Sequence, residues 1–207
     1  MILDIYRRTV VGWLVAPTEA TWRVAAVIRA TVRRHGVACD PLTLQAGHGA
    51  AMVSPPVAAL LTELGVTKSP AQPQTSNDNP HFETPFQTLT YRPDFPDRFP
   101  RLAAACRWLR RVFHGSNTEH RHSELGWLPP AVVHRGEGLA VQRQRAAVLA
   151  RPTLATLRYG VGPPQPPALP DRVAINPPRV PRKKEREVLV LICPQGLDAY
   201  RPVPNTS

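Results

Sequence analysis

Lysine is nearly missing from this chain: only Lys68, Lys183 and Lys184 stand among its 26 basic residues, and the rest are arginine. With 15 acidic residues opposing them, the formal net charge over 207 residues is +11. An excess made of guanidinium groups, which grip phosphate bidentately, points to a polyanionic partner, nucleic acid first. An arginine-rich genome gives the same bias. Cysteine is scarce too. Cys39, Cys106 and Cys193 are odd in number and widely spaced, which excludes a disulfide framework and a Cys-x-x-Cys metal site and fits a reducing cytoplasm. Long apolar runs are absent: nothing approaches the roughly 18 residues needed to span a bilayer, so no membrane partner is expected. The run Val10 to Ala16 is short for a signal peptide and follows an acidic residue, Asp4.

Proline, by contrast, is abundant and unevenly placed. Of 25 prolines, 11 lie from Gly160 onward, where neither helix nor sheet can run far because proline fixes φ and removes donors. The expected division is a folded domain over 1–150 and a proline-rich, largely disordered tail over 151–207. One apolar island in that tail, Val188 to Ile192, has the length and β-branching of a buried strand.

The first 150 residues read as alternating elements. Ile2 to Ile5 and Thr9 to Ala16 flank Tyr6-Arg7-Arg8 as a hairpin at a sheet edge. Thr18 is placed to cap a helix running to about His35, with Trp22, Ala25, Ala26, Ile28 and Val32 near one face and Gly36 as its stop. Leu42 to Ala46 predicts a strand, Pro56 to Leu64 a helix and Gly65 to Ser69 another strand. Helices follow at about Pro80 to Tyr91, Phe99 to Phe113 and Leu139 to Leu149, with a short turn at Pro130 to His134. The order β-β-α-β-α-β predicts a mixed sheet with helices packed on its faces.

The segment Asn77-Asp78-Asn79-Pro80-His81-Phe82-Glu83, a polar turn running into a helix that carries Glu83 in its first turn, resembles the glutamate helix of bacterial insertion-sequence transposases with a retroviral-integrase-like DDE core. Met1 to Trp13 is similar to the second and third strands of that core. Leu42 to Ser54 resembles the segment that carries the family's second aspartate, and Asn117-Thr118-Glu119-His120-Arg121-His122-Ser123 followed by Pro129-Pro130-Ala131 resembles the stretch that closes the domain. The resemblance covers about residues 1–145 in order. It implies a ribonuclease-H-like α/β fold, a mixed sheet with helices on both faces. It also implies Mg²⁺ or Mn²⁺ as the cofactor of intact relatives, DNA as partner (insertion-sequence ends and target DNA), and contact with intact transposase subunits.

Where the family has its second aspartate this chain has Gly47, which offers no ligand atom, and 35 residues lie between Gly47 and Glu83, the group's usual spacing. The family's first aspartate lies on a strand upstream of Leu3-Asp4-Ile5, so Asp4 does not match it, and the implied sheet lacks its first, central strand. Thr90 stands at a lysine position. A DDE site needs three carboxylates to hold two metal ions about 3.5 to 4 Å apart. Glu83 alone is at best a weak metal contact. The resemblance therefore implies a catalytically inactive, truncated remnant of a transposase with no metal bound, whose one catalytic-site residue, Glu83, is vestigial. The alternative is a non-enzymatic nucleic-acid-binding fragment that interferes with intact transposase, and a third reading is a decayed frame without a stable product.

Candidate nucleic-acid contacts are Arg107, Arg110 and Arg111 around Trp108, and Asn117, Arg121 and His122 from the closing stretch. Residues 101–160 hold ten Arg against three Glu, which favours phosphate contact over a merely solvated face. His114, His120, His122 and His134 show none of the common zinc-ligand spacings. For the sheet's vacant centre three outcomes stand open: a disrupted sheet, closure of Ile2 to Ile5 onto Leu42 to Ala46, or insertion of Val188 to Ile192. Insertion is the least expected, since a late tail seldom replaces an inner strand.

Overall fold

The computed structural model describes residues 1–36, 42–46, 49–70, 87–96, 98–150, 164–173 and 188–191. Gly47 and Glu83 lie outside the described residues. A short hairpin opens the chain: β1 (Ile2–Asp4) and β2 (Thr9–Gly12) pair antiparallel around a turn that Asp4 builds. Its Oδ1 accepts the backbone N–H groups of Tyr6 and Arg7 at 3.0 and 2.9 Å, and its Oδ2 receives Arg7 Nη1 at 2.8 Å. Arg8, with φ at +57°, completes the reversal.

Helix α1 (Thr21–His35) ends at Gly36, whose φ of +55° is the left-handed conformation that glycine takes without a Cβ penalty. Its start differs from the expectation. Ala20, not Thr18, is the N-cap, without a side-chain cap bond. Thr18 instead accepts Arg23 Nη1 through its carbonyl and hydroxyl at 2.6 and 3.0 Å. Trp22, read from its spacing as core-facing, is 63% exposed and lies under the Arg23 guanidinium at 4.9 Å, because Val24, Ile28, Thr31 and Val32 define the buried stripe. Strand β3 (Thr43–Ala46) follows, then α2 (Pro55–Glu63), entered through Pro55 and Pro56 in the first turn, and β4 (Thr67–Pro70), parallel to β3.

Of the expected helix from about Pro80 to Tyr91, only 87–91 fall among the described residues; 87–90 are helical and Tyr91 is a turn. Helix α3 (Leu102–Thr118) starts later than Phe99 and runs past Phe113. Phe99 instead packs edge-on to Phe95, with both rings against Trp108 at 5.9, 5.3 and 5.8 Å between centroids. A 3₁₀ turn (Ser123–Leu125), the short helix α4 (Pro130–His134) and α5 (Gly138–Leu149) close the body.

The last strand, β5 (Val188–Leu191), corrects the expectation for the sheet's centre. The order is β2-β1-β5-β3-β4, with β5 antiparallel to β1 and parallel to β3. Val190 faces Leu3 on one side and Gln45 on the other. Neither collapse nor a gap is present. The inner edges of β1 and β3 would otherwise carry unpaired backbone groups, and the tail strand supplies their partners.

Two cores flank this sheet. On one side Ile2, Val11, Leu44 and Ala46 meet Val24, Ile28 and Val32 of α1 and Val57, Leu60 and Leu61 of α2. Gly12 lets α1 approach β2, since a Cβ there would overlap the Thr31 hydroxyl. On the other side Met1 and Ile5 meet Trp108, Val112 and Phe113 of α3. A third cluster, Leu125, Leu128 and Val133, carries the stretch 164–173 of the proline-rich segment: Leu169 packs against it, and Gln142 Nε2 donates to the Pro167 carbonyl at 2.8 Å.

Candidate nucleic-acid interface

Helix α3 sets the interface by which of its faces is already used. Ala105, Cys106, Trp108, Val112 and Phe113 are buried, the last three in the core beside β1, and Trp108 Nε1 donates to the Asp94 carbonyl at 3.0 Å. At 3.6 residues per turn this leaves Arg107, Arg110 and Arg111 exposed together, with His114 one turn on. Asp94 tempers the row: it accepts Arg92 Nε at 2.7 Å and Arg111 Nη2 at 3.5 Å, and the Arg92 hydrogen bond holds its carboxyl below the ordinary range. Arg111, with its side chain 71% exposed, stays open to a further partner.

Asn117 is occupied differently. Its Oδ1 accepts the Val10 N–H at 2.9 Å and its Nδ2 donates to the Val10 carbonyl at 3.0 Å, so both ends of the amide clamp the outer strand β2 to α3. Arg121 is exposed beyond the helix end. His122 is half-buried, and its N–H donates to the Leu128 carbonyl at 3.2 Å. Burial, with His120 and Arg8 adding like charge, pushes the His122 imidazole down to about 4, so it is neutral at pH 7.

Between β1, β2, α3 and the 3₁₀ turn lies a cleft of about 870 Å³. Its floor is apolar: Leu3, Val10, Leu89, Val112 and Phe113. Exposed Arg92, Arg111, His114, His120, Glu119 and Glu124 stand at its rim, and the more buried Arg8 and His122 line it further in. Arg8 is ion-paired with Glu124, and burial lowers the Arg8 guanidinium while Glu124 opposes that shift. Composition and spacing did not single out Arg8, Arg92, His114 and His120 as one site. They come from three parts of the chain, and only packing joins them.

Metal ligands are a separate matter. Among the described residues no group of three His, Cys, Asp or Glu is arranged to hold an ion. Asp4, the acidic residue nearest the sheet's centre, has both carboxylate oxygens engaged by the hairpin turn and Arg7. Gly47 brings no side-chain ligand. These residues do not fit a two-metal site.

Residues 64–130 match the family model of the integrase core domain. No curated protein and no solved structure matches the chain. The integrase core match runs from the end of α2 through β4 and the whole of α3 to the start of α4, so it contains the arginine row, the clamp at Asn117 and the position of Glu83. It supports an integrase- or transposase-like family and a function related to DNA recombination. The mixed α/β architecture, with helices on both faces of one sheet, is consistent with an integrase core. No helix among the described residues is long and apolar enough to cross a membrane.

Proposed function

We propose that this chain is a catalytically inactive remnant of an insertion-sequence transposase that binds DNA through α3 without cutting it. The observation that carries the reading is the exposed row Arg107, Arg110 and Arg111 within the segment that matches the integrase core. Bidentate guanidinium groups one helical turn apart suit a phosphate backbone and carry no base information, so binding is sequence-tolerant. Arg121, exposed beyond the helix end, adds a further cation, and Asn117 positions the row by fixing the helix on β2.

The inactivity follows from chemistry. In-line phosphoryl transfer in a DDE site requires ions on both the attacking and the leaving oxygen, and a glycine at the second acidic position leaves Glu83 without its partner. Glu83 is then vestigial, and no bound Mg²⁺ or Mn²⁺ is expected. The sheet order supports a ribonuclease-H-like arrangement with β5 standing in the central position, antiparallel to one neighbour and parallel to the other. A sheet whose centre is filled also favours a stable DNA-binding or transposase-interfering product over a decayed frame.

The test is binding of duplex DNA by the full chain across salt. Affinity falls steeply between about 50 and 200 mM salt, and changing Arg107, Arg110 and Arg111 together to Ala weakens binding equally for unrelated sequences and flattens the salt slope. A flat salt response in the unaltered protein overturns the reading. With Mg²⁺ or Mn²⁺ the protein does not cleave or join terminal-repeat DNA, and Gly47→Asp alone does not create turnover. Activity lost in Glu83→Ala would show that a functioning site persists.

A further inference from the structure

The cleft beside α3 has features that phosphate contact does not use. A surface that only tracks a backbone needs charge, yet this one has an apolar floor of Leu3, Val10, Leu89, Val112 and Phe113 beneath a rim of arginine and histidine. Its volume, about 870 Å³, lies within the range of small-ligand sites. The floor comes from β1, β2, α3 and Leu89 of the helical stretch 87–90, and Leu89, Val112 and Phe113 belong to the core beside α3. Arg111 belongs to both places: it is the last member of the exposed row and part of the cleft rim. His114, one turn further, continues the line into the opening, and His120 stands opposite the buried ring of His122, their centroids 4.5 Å apart.

From this continuity we infer that the cleft seats an unstacked base of single-stranded DNA whose phosphates run along Arg107, Arg110 and Arg111. The inference rests on the DNA-binding reading and deepens it. A base in a duplex is stacked and paired, so neither its faces nor its pairing edge are free to meet the cleft. A base in a single strand offers a flat apolar face to Val10 and Val112, a ring that stacks on exposed imidazoles such as His114 and His120, and edges that hydrogen-bond with Ser116 and Ser123 at the rim. Two glutamates on the rim, Glu119 and Glu124, disfavour a phosphate inside the cleft and leave its interior to the base. Glu124 is partly neutralised by Arg8, and Glu119 remains exposed at the mouth. The occupant is thus a nucleotide oriented base inward and phosphate toward Arg111.

The experiment uses the full chain, a labelled 12-nucleotide single strand, the duplex of the same sequence, and the same single strand with abasic sites. Expected is single-strand binding roughly tenfold tighter than duplex binding at equal salt, with that advantage lost on the abasic strand, since one stacked base is worth about a factor of ten or more. His114→Ala with His120→Ala lowers single-strand affinity at least about fivefold more than it lowers duplex affinity. Ser116→Trp, which fills the cleft from a half-buried position of α3, removes the single-strand preference with its thermal melt intact. Equal affinity for intact and abasic strands overturns the base seat. If that equality holds while the triple arginine variant still weakens both, the seat alone has failed. If no DNA binds at any salt, the underlying reading has failed with it.

Discussion

Single side chains in this protein are distinguished by what they satisfy. Asn117 pairs the N–H and carbonyl of Val10 on the outer strand, and neither group has another strand beyond it. Asn117→Ala leaves both backbone groups to find water at a partly buried place, a cost of about 1 to 3 kcal/mol, read as a lower urea midpoint with an unchanged slope. Two histidines set a pH dependence. His134 Nε2 and His35 Nδ1 are 3.2 Å apart, His35 Nε2 lies 3.2 Å from the Val11 carbonyl, and His134 Nδ1 is buried without a hydrogen-bond partner. A carbonyl only accepts, so His35 donates from Nε2 and receives the His134 proton on Nδ1. A further proton on His134 would be buried without an acceptor, and desolvation first, then His35, lowers its affinity for one. His122 is lowered to about 4 by burial. Both folded values lie below the ordinary 6.5, so the unfolded chain binds more protons in that window. The stability they contribute is whole above pH 6.5 and is lost as pH falls from there toward about 4. The urea midpoint measured at neutral pH and again near pH 5 therefore drops, and the double variant His122→Phe with His134→Gln reduces the drop. Asp94 and Glu137, lowered by their arginine partners, act in a more acidic window and do not confuse the result.

At the scale of elements, α3 divides its labour by face. Trp108 is 7% exposed, sits against Phe95 and Phe99 and donates to Asp94. Trp108→Ala costs about 3 to 5 kcal/mol and lowers DNA binding only through unfolding. The neighbouring exposed arginines change stability by no more than about 0.5 kcal/mol when replaced, which keeps the triple variant interpretable. The stretch 164–173 depends on missing side chains beneath it. Gly126 has φ of +59°, and a Cβ there would stand 2.6 Å from the Pro167 carbonyl oxygen. Gly126→Ala therefore costs about 1 to 3 kcal/mol from backbone strain, and more where the proline-rich stretch must lift. Protease cleavage within 164–173, slow in the parent chain, becomes faster in that variant.

For the whole molecule the decisive element is β5. It joins the hairpin half of the sheet to the β3–β4 half, and among the described residues no other strand touches both. Val190→Pro removes a central donor and places a ring between Leu3 and Gln45, a loss of about 3 kcal/mol or more against a total margin of about 5 to 15. The variant loses most of its cooperative melt. Slow amide exchange at Leu189 to Leu191 in the parent chain is the companion measurement, and rapid exchange there would place β5 outside the sheet.

Local pattern was enough for much of this architecture. The β-branched and apolar content of Ile2 to Ile5, the proline pair at Pro55 and Pro56 and the glycine at Gly36 specify strand, helix start and helix stop through the nearest neighbours alone, and those elements stand where the pattern put them. The arginine row on α3 was legible for the same reason, since helical periodicity exposes 107, 110 and 111 together. Trp22 was misread because its burial depends on which stripe of α1 meets β2, a matter of contact between distant segments. The cleft could not be read from the sequence, since Arg8, Arg92 and His114 meet only after β1, β2 and α3 pack. The partner of β1 and β3 was the hardest to see. Backbone hydrogen bonds carry no residue code, so a buried edge accepts any strand that can reach it. Only the tertiary structure decided that the strand would come from the far end of the chain.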